Sequence, residues 1–420
     1  MARLSREFNL LWAGQSVSLI GDKINVFVVP TLMILALHAS AFQVGLVGMA
    51  QYLAIPVLSL AAGALVDRWN LRRTLVCCDL IRLGVVGLIP LAYWLGFLSV
   101  PLIFLCVAVA NATAVFFNIG YTATISSIVE PDGRVKAYSH LETSRTTSEV
   151  VGPAVASGLY QLFGVAALLV DAASFLVSAA GIRAMRPYGG APAGRQAAMW
   201  TRLKQGVSLN WRDPVLRGTL QGTLLANIGG PIFVTVLPIL AYRGLGLSVG
   251  TFGAVMSVAA VGAVLGALLA PRVSRRVGAA RMMPWAIFLH SLVGLGILFA
   301  PALPAALVLG ATLTCYGLFM VWYNVTTAAV RQARVPAADQ AVSHAAFRTI
   351  TWGVIPLSVF AGGVLVQLLT PAYGVLGAAK LTMVGGTLIG TLFAALPLAP
   401  LHARIERARV ATVEPEVQTV

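Results

Sequence analysis

The sequence predicts an all-α polytopic membrane protein, with twelve transmembrane helices in two bundles of six. Three observations predict it. The residues are 58% apolar and 10% charged, where soluble domains carry about 25% charged residues, and a mean hydropathy of +0.87 puts most of the chain in lipid. Twelve apolar runs each reach the roughly 20 residues that a span needs. The second half of the chain repeats features of the first.

In chain order the runs cover residues 9–37, 42–66, 74–97, 99–122, 136–162 and 164–184, then 215–241, 246–270, 280–299, 302–330, 338–369 and 373–398. The first reads as a span rather than a cleavable signal, being long, interrupted by charge and without a cleavage site. Between the sixth and seventh lies Met185 to Pro214, containing Gly189, Gly190, Pro192 and Gly194 and turning amphipathic over Met199 to Trp211. That pattern predicts a central linker with a surface helix. The expected organisation is a first bundle over 1–186, a cytoplasmic linker over 187–214, a second bundle over 215–400 and a cytoplasmic tail over 401–420.

A formal charge of +15 raises nucleic acid as a partner, but the basic residues sit in short connectors between apolar runs. The connectors after even-numbered spans, together with the termini, hold 23 of them, the opposite connectors hold only Arg243 and Lys380, and four lie within spans. By the positive-inside rule both termini are cytoplasmic. The expected partners are the lipid bilayer of the cell's inner (plasma) membrane, a small-molecule substrate and protons, with the chain a monomer and no nucleic acid bound. Cys77, Cys78, Cys106 and Cys315 all fall in apolar runs without ligand spacing, so they read as small core residues. There is no Gly-rich phosphate loop with Lys-Ser/Thr, and the five histidines are scattered. The expectation is neither an enzyme nor an ATP-driven pump, with no cofactor and no metal.

The repeat is specific in places. Gly14, Gly21 and Pro30 recur 208 residues later as Gly222, Gly229 and Pro238. Asn118, Pro131, Ser139-His140, Arg145 and Pro153 recur in order as Asn324, Pro336, Ser343-His344, Arg348 and Pro356. Two six-helix repeats in parallel orientation are an arrangement in which bundles rock about a central site.

The connector after the second span reads Gly63-Ala-Leu-Val-Asp67-Arg68-Trp-Asn-Leu-Arg72-Arg73. It resembles the signature loop of the major facilitator superfamily, with Asn70 where that loop has a Gly and Leu71 where it has the first basic residue. Trp12-Ala-Gly-Gln-Ser-Val-Ser-Leu-Ile-Gly-Asp22 resembles the first helix of macrolide-efflux exporters. Asp171-Ala-Ala-Ser-Phe and Phe116-Phe-Asn-Ile-Gly-Tyr121 are similar to segments of the same branch, which includes enterobactin-type siderophore exporters. Gly152-Pro153 with Gly158 resembles the antiporter motif of drug–proton exchangers, without its full glycine set. The resemblance implies the major facilitator fold, transport and export. It also implies that Asp67, Arg68, Arg72 and Arg73 form a cytoplasmic gate, and that the first, fourth, seventh and tenth helices line the cavity.

Within the first span, Gln15, Ser18, Asp22 and Asn25 fall within an arc of about 80° of a helix. Such a stripe reads as a wet surface. Asp22 is then either a proton-loading carboxylate of a central cavity or the neutraliser of a nearby cation, Lys23 of the next turn or a basic residue on a neighbouring helix. Lys23 points about 100° away from Asp22. Helix rise puts it at the depth of Glu149, about 20 Å, and Asp171 reaches a similar depth, so a structural ion pair from Lys23 to Glu149 or Asp171 is expected. Glu142, Arg145 and Glu149 share one face of the fifth span. Arg145 either bonds both acids within its helix or, with them, meets the other bundle as a gate or second proton site. Candidates for substrate contact are Gln15, Ser18, Asn25, Asn118, Tyr121, Gln221, Asn227, Tyr323 and Asn324; interhelical hydrogen bonding is the alternative role for each. The function expected is a proton-coupled exporter of a bulky, largely apolar drug or secondary metabolite. The alternatives are an importer or lipid/metabolite facilitator of the same fold, and a transport-inactive membrane sensor or scaffold.

Overall fold

The computed structural model describes residues 5–66, 68–186, 199–300, 303–336 and 339–398. Among them the chain is helical and contains no strand. In lipid this is the economical solution for a chain that does not close a barrel, since each helix satisfies its own backbone groups. The six helices of the first part are α1 (Arg6–Leu35), α2 (Ala41–Val66), α3 (Leu71–Trp94), α4 (Val100–Ile128), α5 (Arg134–Phe163) and α6 (Ala167–Ala184). Then follow α7 (Met199–Arg212), α8 (Pro214–Ile239), α9 (Val249–Val277), α10 (Ala279–Gly294), α11 (Ala305–Arg334), α12 (Gln340–Gly353), α13 (Ile355–Thr387) and α14 (Phe393–Leu398).

Local chemistry fixes several ends. Ser5 caps α1 by accepting from the Phe8 amide at 3.1 Å, and Asn70 caps α3 by accepting from the Arg73 amide at 3.1 Å. The Asn that replaces the expected loop glycine thus starts the third helix. Among the described residues, ten helical runs are long and apolar enough to cross a membrane. Two of them, Pro131–Ala184 with 54 residues and Val342–Gly390 with 49, are about twice the length one crossing needs. Each contains a glycine in the left-handed region, Gly164 at φ 57° and Gly374 at φ 64°, where a side chain would be strained. Each of these glycines marks a break inside a run longer than one crossing needs.

Large apolar side chains cover the outside, including Leu307 at 72% exposure and Trp285 at 60%. Such a surface would drive aggregation in water and is what lipid requires. Of the four free cysteines, Cys78 and Cys106 are buried. Cys77 and Cys315 are exposed rather than in the core as expected, because an apolar thiol serves equally on a lipid-facing surface.

The chain gathers into two compact units. One takes Met1–Gln196, Pro238–Ser257 and Val366–Leu368; the other takes Ala197–Leu237, Val258–Leu365 and Leu369–Val420. In the first, α1 lies against α5 and α6, and α3 against α4 and α6. Pro238–Ser257 joins this unit because its polar groups find partners there. Tyr242 and Thr31 hydroxyls meet at 3.0 Å, Arg243 donates to the Ile34 carbonyl at 3.2 Å, and Phe252 stacks on Phe27. In the second unit, α10 packs on α11 and α7 on α12. The amphipathic helix α7 is anchored rather than loose: fully buried Asn210 donates to the Ser343 carbonyl at 2.9 Å, and Arg334 pairs with Asp213 at 3.1 Å.

Candidate functional site

Glycine and serine set how closely α1 approaches α6. A Cβ on Gly14 would sit 3.0 Å from the Ser178 Cα, and one on Gly21 would overlap Ser174 and Asp171. Small residues on both faces let the backbones meet, the usual device where no hydrophobic effect drives helices together. The close packing turns the polar stripe of α1 toward α3 and α6. Gln15 and Ser18 are buried, the former with its side-chain oxygen unpaired, while Asn25 is half-buried beside Asp171.

Asp22 accepts a 2.5 Å charge-assisted bond from Arg82 of α3. The Asp22 side chain is 35% exposed and that of Arg82 9%, so the pair reaches from the interior to an open edge. The Arg82 guanidinium also lies 4.0 Å from the centre of the Phe175 ring on α6, a cation–π contact that strengthens with desolvation. Asp79, three residues before Arg82 on the same face of α3, is fully buried, as is Asp171 on α6. Neither carboxylate makes an ion pair or a well-aligned hydrogen bond, although Ser178 lies next to Asp79, and Asn25 and Ser174 next to Asp171. The charged groups facing both are Asp22 and Arg82.

Lys23 turns the other way, toward α5. Its ammonium is 3.7 Å from Glu149, and its stem packs where a Cβ on Gly152 would collide. Of the two partners expected for Lys23, the structure brings it to Glu149 and leaves Asp171 on the opposite side of α1. Arg145 bonds Glu142 at 2.5 Å and Glu149 at 2.6 Å within α5. An open recess of about 800 Å³ runs along this helix past Arg134, Tyr138, Glu142 and Thr146.

The expected substrate contacts scatter. Asn118 and Asn324 are exposed. Tyr121 stacks on Phe117 with its hydroxyl buried and unpaired. Gln221 is half-buried. Asn227 donates to the Thr351 carbonyl at 2.7 Å, and Tyr323, 1% exposed, bonds Thr223 at 2.7 Å. The last two hold the second unit together. Among the gate residues, Asp67 lies outside the described residues, Arg68 and Arg73 are exposed, and Arg72 donates to the Arg183 carbonyl.

Arg82 and Asp79 were missed by the sequence reading. The signal that could have found them is plain: two ionisable residues inside the apolar run of the third span, each of which needs a partner there. Among the described residues no group of His, Cys, Asp and Glu could hold a metal ion.

Long apolar helices that hold paired and unpaired ionisable side chains at membrane depth define a membrane transport protein rather than an enzyme. The chain belongs to the Major Facilitator Superfamily, whose profile matches residues 11–357. Among similar proteins is the multidrug efflux pump Tap of Mycobacterium tuberculosis (strain ATCC 25618 / H37Rv), 29% identical over 394 residues, 90% of this chain and 87% of that one. Macrolide efflux protein A of Streptococcus pyogenes is 23% identical over 163 residues, 39% of this chain and 40% of that one. Among solved structures, the nucleoside transporter NupG superposes with a TM-score of 0.75 at 14% identity, covering 94% of this chain and 98% of that one. A bacterial homologue of the iron transporter ferroportin superposes with a TM-score of 0.70 at 15% identity, covering 94% and 100%. These structural likenesses show the fold. The protein is a multi-pass membrane transporter of small molecules.

Proposed function

We propose that the chain is a proton-coupled exporter of a bulky, largely apolar drug or secondary metabolite, working by alternating access between bundles over 1–186 and 215–400. The observation that carries the proton part is Asp22, a carboxylate inside a membrane-spanning helix, one-third exposed and held by Arg82. A carboxylate in such a place exchanges protons when water reaches it from alternate sides. Glu149 and Glu142 on α5 are accessory acids joined through Arg145, and Glu142 also borders the recess. The efflux names of the two relatives support the direction and the substrate class. Asp67 with Arg68, Arg72 and Arg73 serves as the cytoplasmic gate, both termini lie in the cytoplasm, and the working unit is a monomer in the plasma membrane.

The test is uphill export in cells lacking their own pumps, loaded with macrolides, tetracyclines, dyes or siderophores. Asp22→Asn should lower accumulation-driven export by about tenfold or more while downhill movement of the same compound continues. Normal uphill export by Asp22→Asn would remove Asp22 from coupling. A second reading, an importer or facilitator, draws on the fold itself, which also serves a nucleoside transporter. Net entry of the compound under the same gradient would favour it, and no substrate-dependent flux at all would favour a sensor or scaffold.

A further inference from the structure

The charged groups inside the first unit form two sets that do not balance equally. Along α1 and α5, Lys23, Glu149, Arg145 and Glu142 alternate in sign and sum to zero. Between α1, α3 and α6, three carboxylates, Asp22, Asp79 and Asp171, face the single guanidinium of Arg82. With every group ionised that cluster carries two uncompensated negative charges. The elements packed around it do not offset them. α2 and α4 contain no acidic or basic residue, Lys23 is turned to α5, and the nearest other titratable group is the buried thiol of Cys78, beside Asp79. Two carboxylates at 0% exposure without a cation or a well-aligned donor are not tolerated as a pair of anions.

We propose that Asp79 and Asp171 form a proton-binding site, and that Arg82 exchanges Asp22 for whichever of the two becomes ionised. Both buried carboxyls are unpartnered and lie in the space around the guanidinium, which already contacts α6 through Phe175. In the state seen, Arg82 holds Asp22 and the protons reside on Asp79 and Asp171. When one of these releases its proton to water entering along the exposed edge at Asp22, a carboxylate forms next to the guanidinium. The Arg82 N–H bond then moves to it, and Asp22 is left free to take up the departing proton or to meet a cationic substrate. Arg82 stays paired with one ionised acid throughout, so the negative charge left by a released proton falls on Asp22 at the exposed edge rather than on an unpaired carboxylate in the interior. Proton occupancy on α3 and α6 is thereby read out as whether α1 is tied to α3. The inference builds on the proton-exchange reading above only in giving this proton a use; the site stands or falls on its own measurement.

That measurement is the infrared band of protonated carboxyl groups, recorded on the purified full-length protein in lipid bilayers at neutral pH, in water and in deuterium oxide. The wild-type protein should show a deuterium-sensitive carboxylic band from poorly solvated groups. Asp79→Asn and Asp171→Asn should each remove about half of it, as expected for two acids sharing the site. Glu149→Gln should leave it unchanged, because the α5 set is already neutral. Arg82→Gln should increase it, as Asp22 takes up a proton once its cation is gone. The two Asn variants are read independently, so failure of one to fold leaves the other decisive. Absence of the band from the wild-type protein, or its survival at full strength in either Asn variant, would overturn the proposal. The band reads proton binding without transport. Its loss would leave proton-driven export standing, and a failure of proton-driven export would leave the site standing.

Discussion

Adjacent residues 22 and 23 illustrate how little chain proximity means on a helix. Asp22 binds Arg82 of α3 at 2.5 Å, and Lys23 reaches Glu149 of α5 at 3.7 Å. The two pairs differ in what they hold. Lys23 and Glu149 are 32% and 41% exposed, so water and ions screen them and their pairing contributes about 1 kcal/mol or less. Arg82 is 9% exposed in its side chain, and its loss would leave Asp22 without its cation, a change that costs up to about 3–5 kcal/mol where a pair is buried. Thermal unfolding in detergent should therefore show a small fall in midpoint for Lys23→Met and a large one for Arg82→Met at neutral pH. Equal falls would contradict the ranking. The angular separation of Asp22 from Lys23 was readable from the helical period alone. The identity of the Asp22 partner was not, because Arg82 lies 60 residues away and only tertiary packing brings that face of α3 to α1.

At the scale of elements, apolar runs and turn residues located most helices well, since a span is specified by its own composition. The break between α5 and α6 falls at Gly164, the first residue of the expected run 164–184, and the break in α13 falls at Gly374, one residue into the expected run 373–398. Close approach between helices was less readable. Gly14 and Gly21 drew notice as repeated positions, but nothing local shows that one meets Ser178 and the other Ser174. The same holds for α7, whose amphipathic pattern marks a surface helix while the buried Asn210 that docks it on α12 depends on Ser343, 133 residues away. The repeat counterpart of Gly21, Gly229, supplies a sharp test. A Cβ there would overlap the Gly386 carbonyl oxygen and come within 2.6 Å of the Gly390 backbone nitrogen, whereas one on Gly385 would meet nothing within 4 Å. Gly229→Ala should depress folded yield and lower the unfolding temperature. Gly385→Ala should be neutral or mildly stabilising, by up to about 1 kcal/mol, since Ala is the better helix former. Size-exclusion profiles and thermal melts of the two variants, side by side, check the pair.

For the whole molecule, class follows from composition because the bilayer imposes it. Only helices satisfy their own backbone in lipid without closing a barrel, and the bias of 23 basic residues against two predicts cytoplasmic termini. Single cysteines placed at the two termini should react with a membrane-impermeant thiol reagent only after the membrane is opened. Reaction in intact cells would reverse the topology. Function was less readable at this scale. Fold and family are shared by proteins that move different solutes, and the charged residues that distinguish this chain reveal their roles only as pairs. The central claim is proton-driven export, and inside-out membrane vesicles test it directly. Respiration acidifies the lumen of such vesicles, so an exporter exchanging its substrate for protons should concentrate a macrolide or dye inside them and lose the accumulated compound when a protonophore collapses the gradient. Accumulation that ignores the protonophore, or movement of the compound out of the acidified lumen, would contradict the account.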